Sequence, residues 1–342
     1  MNNGILKNMN EKWNKIIFTI VEPPDIIKIE KIHSGGSDRH YHRIHAKNNT
    51  FILQKTGNKK DIREYVAMAR CFEQNGVPAP EILVYDKTER IALMEDAGDI
   101  DIQSITLEML KNDDKDGILE LYKDIIGKLI RIQEIPISSL PDFVRSRKFD
   151  FEHYRWETDY FLENCVSLFF GISDMPIEKI RKELDQLAKS LFNEPSYPVH
   201  RDFQSQNVYI RNGNIFILDF QSARTGSIFY DLASLLKDPY VEIPEEIHDI
   251  LFNHYIEKRK KAGVYRELDP TRATDIYNRV SLQRLMQALG AYGNLGINKG
   301  KSQFLQYIPP AVRLLHSTIR ETDSFPFLKN LVEELDILVR KR

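Results

Sequence analysis

Residues 197–220 read YPVHRDFQSQNVYIRNGNIFILDF, an island of strand-forming residues in a chain that is otherwise rich in helix patterns. The Asn-Gly pair at 212–213 lies between two apolar runs, which is the strongest short signal for a β-hairpin. With that pair as the turn, Asn207 lies beside Asp219 at the open end of the hairpin. Asp202 precedes Asn207 in a loop that must arrive at the same end. The pattern therefore predicts that three oxygen-bearing side chains converge.

This combination of carboxylate and amide oxygens suits phosphoryl transfer. Mg²⁺ prefers oxygen ligands, and phosphates and water complete its shell. A separate carboxylate must orient the attacking hydroxyl and accept its proton. We therefore expect Asn207 and Asp219 to bind Mg²⁺ and Asp202 to be the catalytic base. Each residue alone could equally be a turn-former or a cap, and it is their order and spacing that favour a site.

The chain before this island differs in pattern from the chain around and after it. Strand patterns at residues 26–56 and 81–94 flank one amphipathic helix pattern, which predicts an antiparallel sheet with one packed helix. Long helix patterns dominate beyond about residue 100 and are interrupted only by the island. We expect a boundary between two structural units near residues 95–100.

Composition excludes several classes of protein. The 342 residues include 48 Lys and Arg against 50 Asp and Glu, a net charge of −2, whereas a nucleic-acid binder usually has a basic surplus. Cys71 and Cys165 are too few for a disulfide framework or a cysteine zinc site, so we expect a cytoplasmic, reducing setting. No stretch approaches the roughly 18 apolar residues of a membrane span, and the N-terminus lacks the apolar run of a signal peptide. Neither nucleic acid nor membrane is an expected partner, and the oligomeric state is not predicted.

The motif H-R-D-F-Q-S-Q-N at 200–207, followed by I-L-D-F-Q at 217–221, resembles the catalytic and metal-binding loops of the aminoglycoside phosphotransferase and choline-kinase-like family, relatives of the protein kinases. Gln221 stands where protein kinases have the glycine of D-F-G, which favours the small-molecule branch. By the same resemblance, His200 and Asp231 would support the catalytic loop. For Asp231, simple capping of the following helix is the alternative.

The resemblance implies a protein-kinase-like, two-lobed α+β fold that uses ATP and Mg²⁺. Residues 1–95 would form the nucleotide-binding N-lobe, a small antiparallel sheet with one packed helix. Residues 96–342 would form a large, mainly helical C-lobe with the catalytic loop and the substrate-binding helices. We expect both lobes to contribute to one cleft.

Nucleotide-binding residues follow from the same resemblance. Lys55 and Glu64 would form the ion pair of the third strand and the helix, although Gln54 could equally occupy the lysine position and Lys55 could be a solvated strand end. Glu95 belongs to the expected hinge, which would bind adenine through backbone groups. A turn rich in glycine and serine, alone no more than a hairpin tip, would cover the ATP phosphates. It consists of Ser34, Gly35, Gly36 and Ser37.

Residues 219–238 strongly resemble the bacterial anomeric sugar kinases of cell-wall recycling, and further similarity covers most of the chain from about residue 33 to residue 316. Those enzymes phosphorylate N-acetylmuramate or N-acetylglucosamine at the C1 hydroxyl, so a sugar is the implied substrate. A sugar site needs neutral donors and acceptors, and these residues could otherwise be solvated polar residues. The candidates are Gln204, Gln206, Gln221, Gln283 and Arg284.

Two other functions compete with a sugar kinase. An aminoglycoside or choline/ethanolamine phosphotransferase would use the same machinery on an amine-bearing substrate. A nucleotide-binding pseudokinase scaffold would bind ATP without turnover. The presence of Asp202, Asn207 and Asp219 argues against the scaffold, because pseudokinases usually lack such residues.

Overall fold

The computed structural model describes residues 11–32, 39–263, 269–322 and 324–341. Five antiparallel strands and two helices form its N-terminal part. These are α1 (Glu11–Ile17), β1 (Ile26–Ile32), β2 (Arg39–Ala46), β3 (Thr50–Thr56), α2 (Lys59–Gln74), β4 (Ile82–Asp86) and β5 (Ile91–Glu95). The strand order is β1-β2-β3-β5-β4, which confirms the predicted antiparallel sheet.

The two faces of this sheet have different neighbours, because successive side chains of a strand point to opposite sides. On one face, Ile44 and Leu53 form a small apolar core with Ile17 of α1. On the other face, α2 packs through its buried apolar residues and joins the large core of the molecule. The second face is the one that borders the C-terminal part.

The packed helix α2 forms where the sequence predicts it. Asn58 caps its first turn, since the Asn58 side chain accepts a hydrogen bond from the backbone N–H of Lys60 at 3.0 Å. Ile62, Val66 and Phe72 are all buried on one side of the helix. The helix ends just before Gly76, whose positive φ of 65° suits a helix C-terminus.

The C-terminal part is mainly helical. Its helices are α3 (Ile102–Lys111), α4 (Lys115–Glu134), α5 (Asp142–Ser146), α6 (Phe151–Phe161), α7 (Ile177–Phe192), α8 (Tyr230–Leu236), α9 (Glu245–Lys261), α10 (Pro270–Gly293), α11 (Ile308–Arg320) and α12 (Pro326–Lys341). Its strands are β6 (Ser196–Val199), β7 (Val208–Arg211), β8 (Asn214–Ile217) and β9 (Arg224–Ser227). The two parts together confirm the protein-kinase-like α+β fold.

Helix α10 runs through the middle of this part and is buried along most of its length. A Cβ at Gly293 would collide with the backbone carbonyl of Asn164, so glycine lets α10 approach the segment after α6 closely. Helix α10 is therefore the central helix of the C-terminal part.

Within the described ranges, no helix is both long enough and apolar enough to cross a bilayer.

The predicted hairpin is the pair β7 and β8. Val208 lies opposite Ile217 and Arg211 lies opposite Asn214, which confirms the predicted register. The turn residues at 212–213 both have positive φ, 52° and 78°, as a two-residue hairpin turn of this type requires. The open end of the hairpin is therefore set by local sequence alone.

Candidate active site

A cleft of about 730 Å³ lies between the sheet and the helical part. The inner face of the sheet forms one wall, and the hairpin end, the loop after β6 and helix α10 form the other. Asp202, Asn207 and Asp219 all line this cleft. The convergence that the hairpin pattern predicts is therefore present.

The loop after β6 is held by the carboxylate of Asp231, at the start of α8. The backbone N–H groups of His200 and Arg201 donate hydrogen bonds to its two oxygens at 2.7 and 2.8 Å. Arg201 has a φ of 82°, a conformation that non-glycine residues adopt only when their surroundings impose it. Asp231 therefore stabilises a strained loop directly before Asp202.

Buried groups around the loop have shifted pKa values. Burial raises the pKa of Asp231 to about 7, although the two backbone N–H groups act in the opposite direction. Burial also lowers the pKa of His200, which keeps its ring neutral. The His200 ring Nε2 lies 3.0 Å from the backbone oxygen of Leu218, so the histidine links the loop to the end of the hairpin.

Asn207 and Asp219 offer oxygens to the cleft. The Asn207 Nδ2 group donates to the backbone oxygen of Asp202 at 2.8 Å, which leaves Oδ1 as its other polar atom. The backbone N–H of Leu218 donates to the backbone oxygen of Asn207 at 2.8 Å and holds the two segments together. The Asp219 side chain is 43% exposed, and its backbone is in the left-handed region with φ 61°.

This donor set fits a hard divalent cation bound together with phosphate. One carboxylate and one amide oxygen are suitable ligands for Mg²⁺, which keeps several ligands from water and substrate. Across the described ranges, no group of three or more His, Cys, Asp or Glu side chains could hold a metal by itself. Water and phosphate oxygens would complete the shell of a cation held by Asn207 and Asp219.

Gln204, Gln206 and Arg284 also line the cleft. The Arg284 Nη2 group donates to Gln204 Oε1 at 2.9 Å, and its Nε donates to the hydroxyl of Ser234 at 2.7 Å. Gln206 Nε2 donates to Gln103 Oε1 at 2.9 Å. These side chains form a polar wall beside Asp202.

Two of the predicted sugar-binding residues lie elsewhere. Gln283 is fully buried and donates to the backbone oxygen of Tyr154 and to Glu157 Oε2, both at 3.0 Å, which corrects the expectation of a substrate contact. Gln221 is also buried, and its Nε2 donates to Asp219 Oδ1 at 2.6 Å. Gln221 therefore orients a cleft carboxylate, and Gln283 supports the protein interior.

The predicted pair of Lys55 and Glu64 does not form. Lys55 is on the outer face of β3, with its Nζ 5.5 Å from the ring centroid of Trp13. Glu64, on α2, accepts a hydrogen bond from Arg147 Nη2 at 2.7 Å. The expectation is corrected because strand alternation turns Lys55 away from α2.

The remaining nucleotide-side predictions have different outcomes. Glu95 ends β5 and lines the cleft, in the stretch expected to be the hinge. The turn of Ser34, Gly35, Gly36 and Ser37 lies outside the described residues.

Arg39 is a cleft residue that was not predicted from the sequence. Its Nε and Nη2 groups donate to the carboxylate of Asp61 at 2.8 and 3.1 Å, and its Nη1 lies 3.3 Å from Asp219 Oδ1. Arg147, which contacts Glu64, was missed as well. A cue was available for Arg39, since it lies two residues after the glycine-rich turn.

A model of the phosphotransferase enzyme family matches residues 28–270. A protein of Pseudomonas aeruginosa named N-acetylmuramate/N-acetylglucosamine kinase is 25% identical over 324 residues, which cover 92% of this chain and 90% of that protein. A protein of the same name from Neisseria meningitidis is 27% identical over 285 residues, 81% of each chain.

Solved structures share the fold at low identity. A choline/ethanolamine kinase family protein from Mesorhizobium loti aligns with a TM-score of 0.60 at 14% identity, over 95% of this chain and 99% of that one. A spectinomycin phosphotransferase in complex with ADP and spectinomycin aligns with a TM-score of 0.61 at 15% identity, over 90% and 98%. These likenesses support the two-lobed architecture.

Proposed function

Because this chain belongs to the phosphotransferase enzyme family, we propose that it transfers the γ-phosphate of ATP to the anomeric hydroxyl of an N-acetylhexosamine sugar. The chain is an enzyme that transfers phosphate to a hydroxyl group, and the proposal concerns its donor, metal and acceptor. Three relatives that are similar over most of the chain are named N-acetylmuramate/N-acetylglucosamine kinase, and they support this acceptor.

The observation that carries the proposal is the meeting of Asp202, Asn207 and Asp219 in one cleft. In our proposal, the sugar oxygen attacks the γ-phosphorus, the bond to the bridging oxygen of ADP breaks, and the hydroxyl proton passes to Asp202. An anomeric hydroxyl is more acidic than an ordinary alcohol, so a positioned carboxylate suffices as the base. Positioning would supply much of the rate enhancement.

We assign the nucleotide to the N-lobe, residues 1–95, and the sugar to the C-lobe, residues 96–342. Asn207 and Asp219 would hold Mg²⁺. When bound, Mg²⁺ would neutralise charge on the β- and γ-phosphates. The hinge at Glu95 would border the adenine, and the turn at 34–37 would cover the phosphates.

The wall beside Asp202 favours a sugar over a cationic acceptor. Gln204 and Gln206 offer neutral hydrogen-bonding groups, and Tyr240 and Tyr292 add aromatic surface to the same cleft. Arg284 places a guanidinium in this wall, which would repel an aminoglycoside or choline. We therefore prefer the neutral or anionic N-acetylhexosamines.

A cytoplasmic location is part of the same proposal. ATP is the expected donor, and both cysteines, Cys71 and Cys165, are buried free thiols. No partner beyond ATP, Mg²⁺ and the sugar is needed for the reaction.

The proposal is tested by coupled measurement of ADP release with N-acetylglucosamine, N-acetylmuramate, spectinomycin and choline as acceptors. We expect activity with the two sugars, and a product whose phosphate is released by mild acid, as a glycosyl phosphate is. The matched control is the methyl glycoside of N-acetylglucosamine, which lacks the anomeric hydroxyl and should be inert. Activity with the methyl glycoside, or with only spectinomycin or choline, contradicts the proposal.

A further inference from the structure

The inner face of β3 carries no positive charge opposite the cleft. Protein kinases hold the ATP phosphates with a lysine of the third strand, paired with a helix glutamate. In this protein, the inward residue at that level is Gln54, which is fully buried and uncharged. Neither of its side-chain polar atoms has a hydrogen-bond partner in the structure as described. Lys55, one residue later, faces Trp13 on the outer face.

A cation reaches the cleft from the neighbouring strand instead. Arg39 is the first residue of β2, and its side chain is only 11% exposed. Arg39, Tyr41 and Arg43 line the cleft on the same face of β2, as the two-residue period of a strand requires. The guanidinium thus lies within the inner wall of the cleft.

Asp61 orients this guanidinium. The Nε and Nη2 groups of Arg39 donate to the two oxygens of Asp61, which is the bidentate arrangement that fixes an arginine most firmly. The Nη1 group is directed to Asp219 Oδ1 at 3.3 Å. One edge of the guanidinium is therefore anchored on α2, while the other is directed to the proposed metal ligand.

The helix glutamate has a different partner. Glu64 lies three residues after Asp61 on α2, so the two carboxylates are neighbours on one side of the helix. Glu64 contacts Arg147, which lies just after α5 in the helical part. Asp61 is therefore the partner of Arg39 in the cleft, and Glu64 links the two parts of the molecule through Arg147.

We propose that Arg39 binds the ATP phosphates in this protein and that Asp61 holds it in position, in place of the usual strand lysine and helix glutamate. The inference rests on the proposed use of ATP and is independent of which acceptor is used. An arginine fits this role because its planar fork can bind Asp61 along one edge and phosphate oxygens along another. Lysine on β3 is then unnecessary, which accounts for the neutral Gln54.

The test is calorimetric titration of the purified chain with ATP and, separately, with adenosine, both in the presence of Mg²⁺. We expect Arg39→Gln to weaken ATP binding by at least about tenfold, or about 1.4 kcal/mol, and to leave adenosine binding within about twofold. Lys55→Gln is the matched control, since it removes one positive charge from the outer face of the same sheet. It should leave both affinities within about twofold.

Two further variants keep the test decisive if Arg39→Gln does not fold. Arg39→Lys keeps the charge but loses the fork to Asp61, and Asp61→Asn keeps Arg39 but loosens it. Both should lower the ratio of ATP affinity to adenosine affinity, by less than Arg39→Gln. An unchanged ratio in these variants, or a loss of ATP binding in Lys55→Gln, refutes the inference.

The same titrations separate the two proposals. A wild-type chain that binds no ATP overturns the proposed function itself. A wild-type chain that binds ATP while Arg39→Gln binds it equally well overturns only the role of Arg39. A chain whose ATP binding depends on Arg39 but which phosphorylates no sugar supports the inference and contradicts the acceptor.

Discussion

The substitution Asp231→Asn should change how the stability of the protein depends on pH. Asp231 is buried, and burial raises its pKa from the ordinary 3.8 to about 7. A carboxyl group with a raised pKa holds its proton more tightly in the folded state than in the unfolded state. Its contribution to stability is therefore complete below pH ~4 and is lost as the pH rises through about 7. Asparagine cannot titrate in this range.

The size of the effect follows from that pKa shift. One pKa unit corresponds to about 1.4 kcal/mol. Between pH ~5 and pH ~8 the folded state releases the proton of Asp231, whereas the unfolded state is already ionised, and the integrated difference is about 3 kcal/mol. The free energy of unfolding of the wild type should therefore fall by about 3 kcal/mol relative to Asp231→Asn across this range.

Urea unfolding of both proteins at four values between pH ~5 and pH ~8 measures this difference, because the other titrating groups cancel between wild type and variant. The matched control is Asp124→Asn, at a half-exposed residue of α4 paired with Lys128. For this variant, the difference in free energy of unfolding from the wild type should change by no more than about 0.5 kcal/mol over the same pH range. The reasoning is refuted if the difference in free energy of unfolding between the wild type and Asp231→Asn does not change between pH ~5 and pH ~8.

Two kinetic predictions follow from the cleft. Asp202→Asn should lower kcat by about 10²- to 10⁴-fold, because the general base is lost, while ATP affinity measured by titration stays within about threefold; a kcat near wild type removes Asp202 from the mechanism. Arg284→Met should lower kcat/KM for N-acetylmuramate at least about tenfold more than for N-acetylglucosamine. The buried guanidinium hydrogen-bonds to the neutral acceptors of Ser234, Gln287 and Gln204. Its positive charge is suited to the carboxylate that N-acetylmuramate carries and N-acetylglucosamine lacks. Equal losses for the two sugars contradict that role.

The parts of the site that the sequence predicted are those that depend on local geometry. The Asn-Gly turn fixes which residues of β7 and β8 face one another, so the meeting of Asn207 and Asp219 follows from a few consecutive residues. The antiparallel sheet and α2 were likewise predictable, because periods of two and 3.6 residues are written in the sequence. No distant contact is needed for either inference.

The parts that it missed depend on contacts between distant residues and on strand register. Lys55 and Gln54 are adjacent, and a shift of one residue moves a side chain to the other face of the sheet. Arg39 reaches Asp61 and Asp219 from positions 22 and 180 residues away in the chain. The first pair forms only when the N-lobe is folded, and the second forms only when the two lobes are packed together.

The ion pair between Arg39 and Asp219 bears on how phosphate and a cation bind in the cleft. Asp219 is balanced by Arg39 and receives a hydrogen bond from Gln221. In our proposals, Arg39 exchanges its contact with Asp219 for a phosphate, which is also negative. Asp219 in turn exchanges its contact with Arg39 for a cation, which is also positive. If phosphate alone took the Nη1 group of Arg39, Arg39 would keep Asp61, whereas Asp219 would lose its opposite charge in a partly buried site, which is costly. It follows that the phosphates and the cation stabilise the cleft best when both are bound, because the cation then replaces the positive charge that Asp219 has lost.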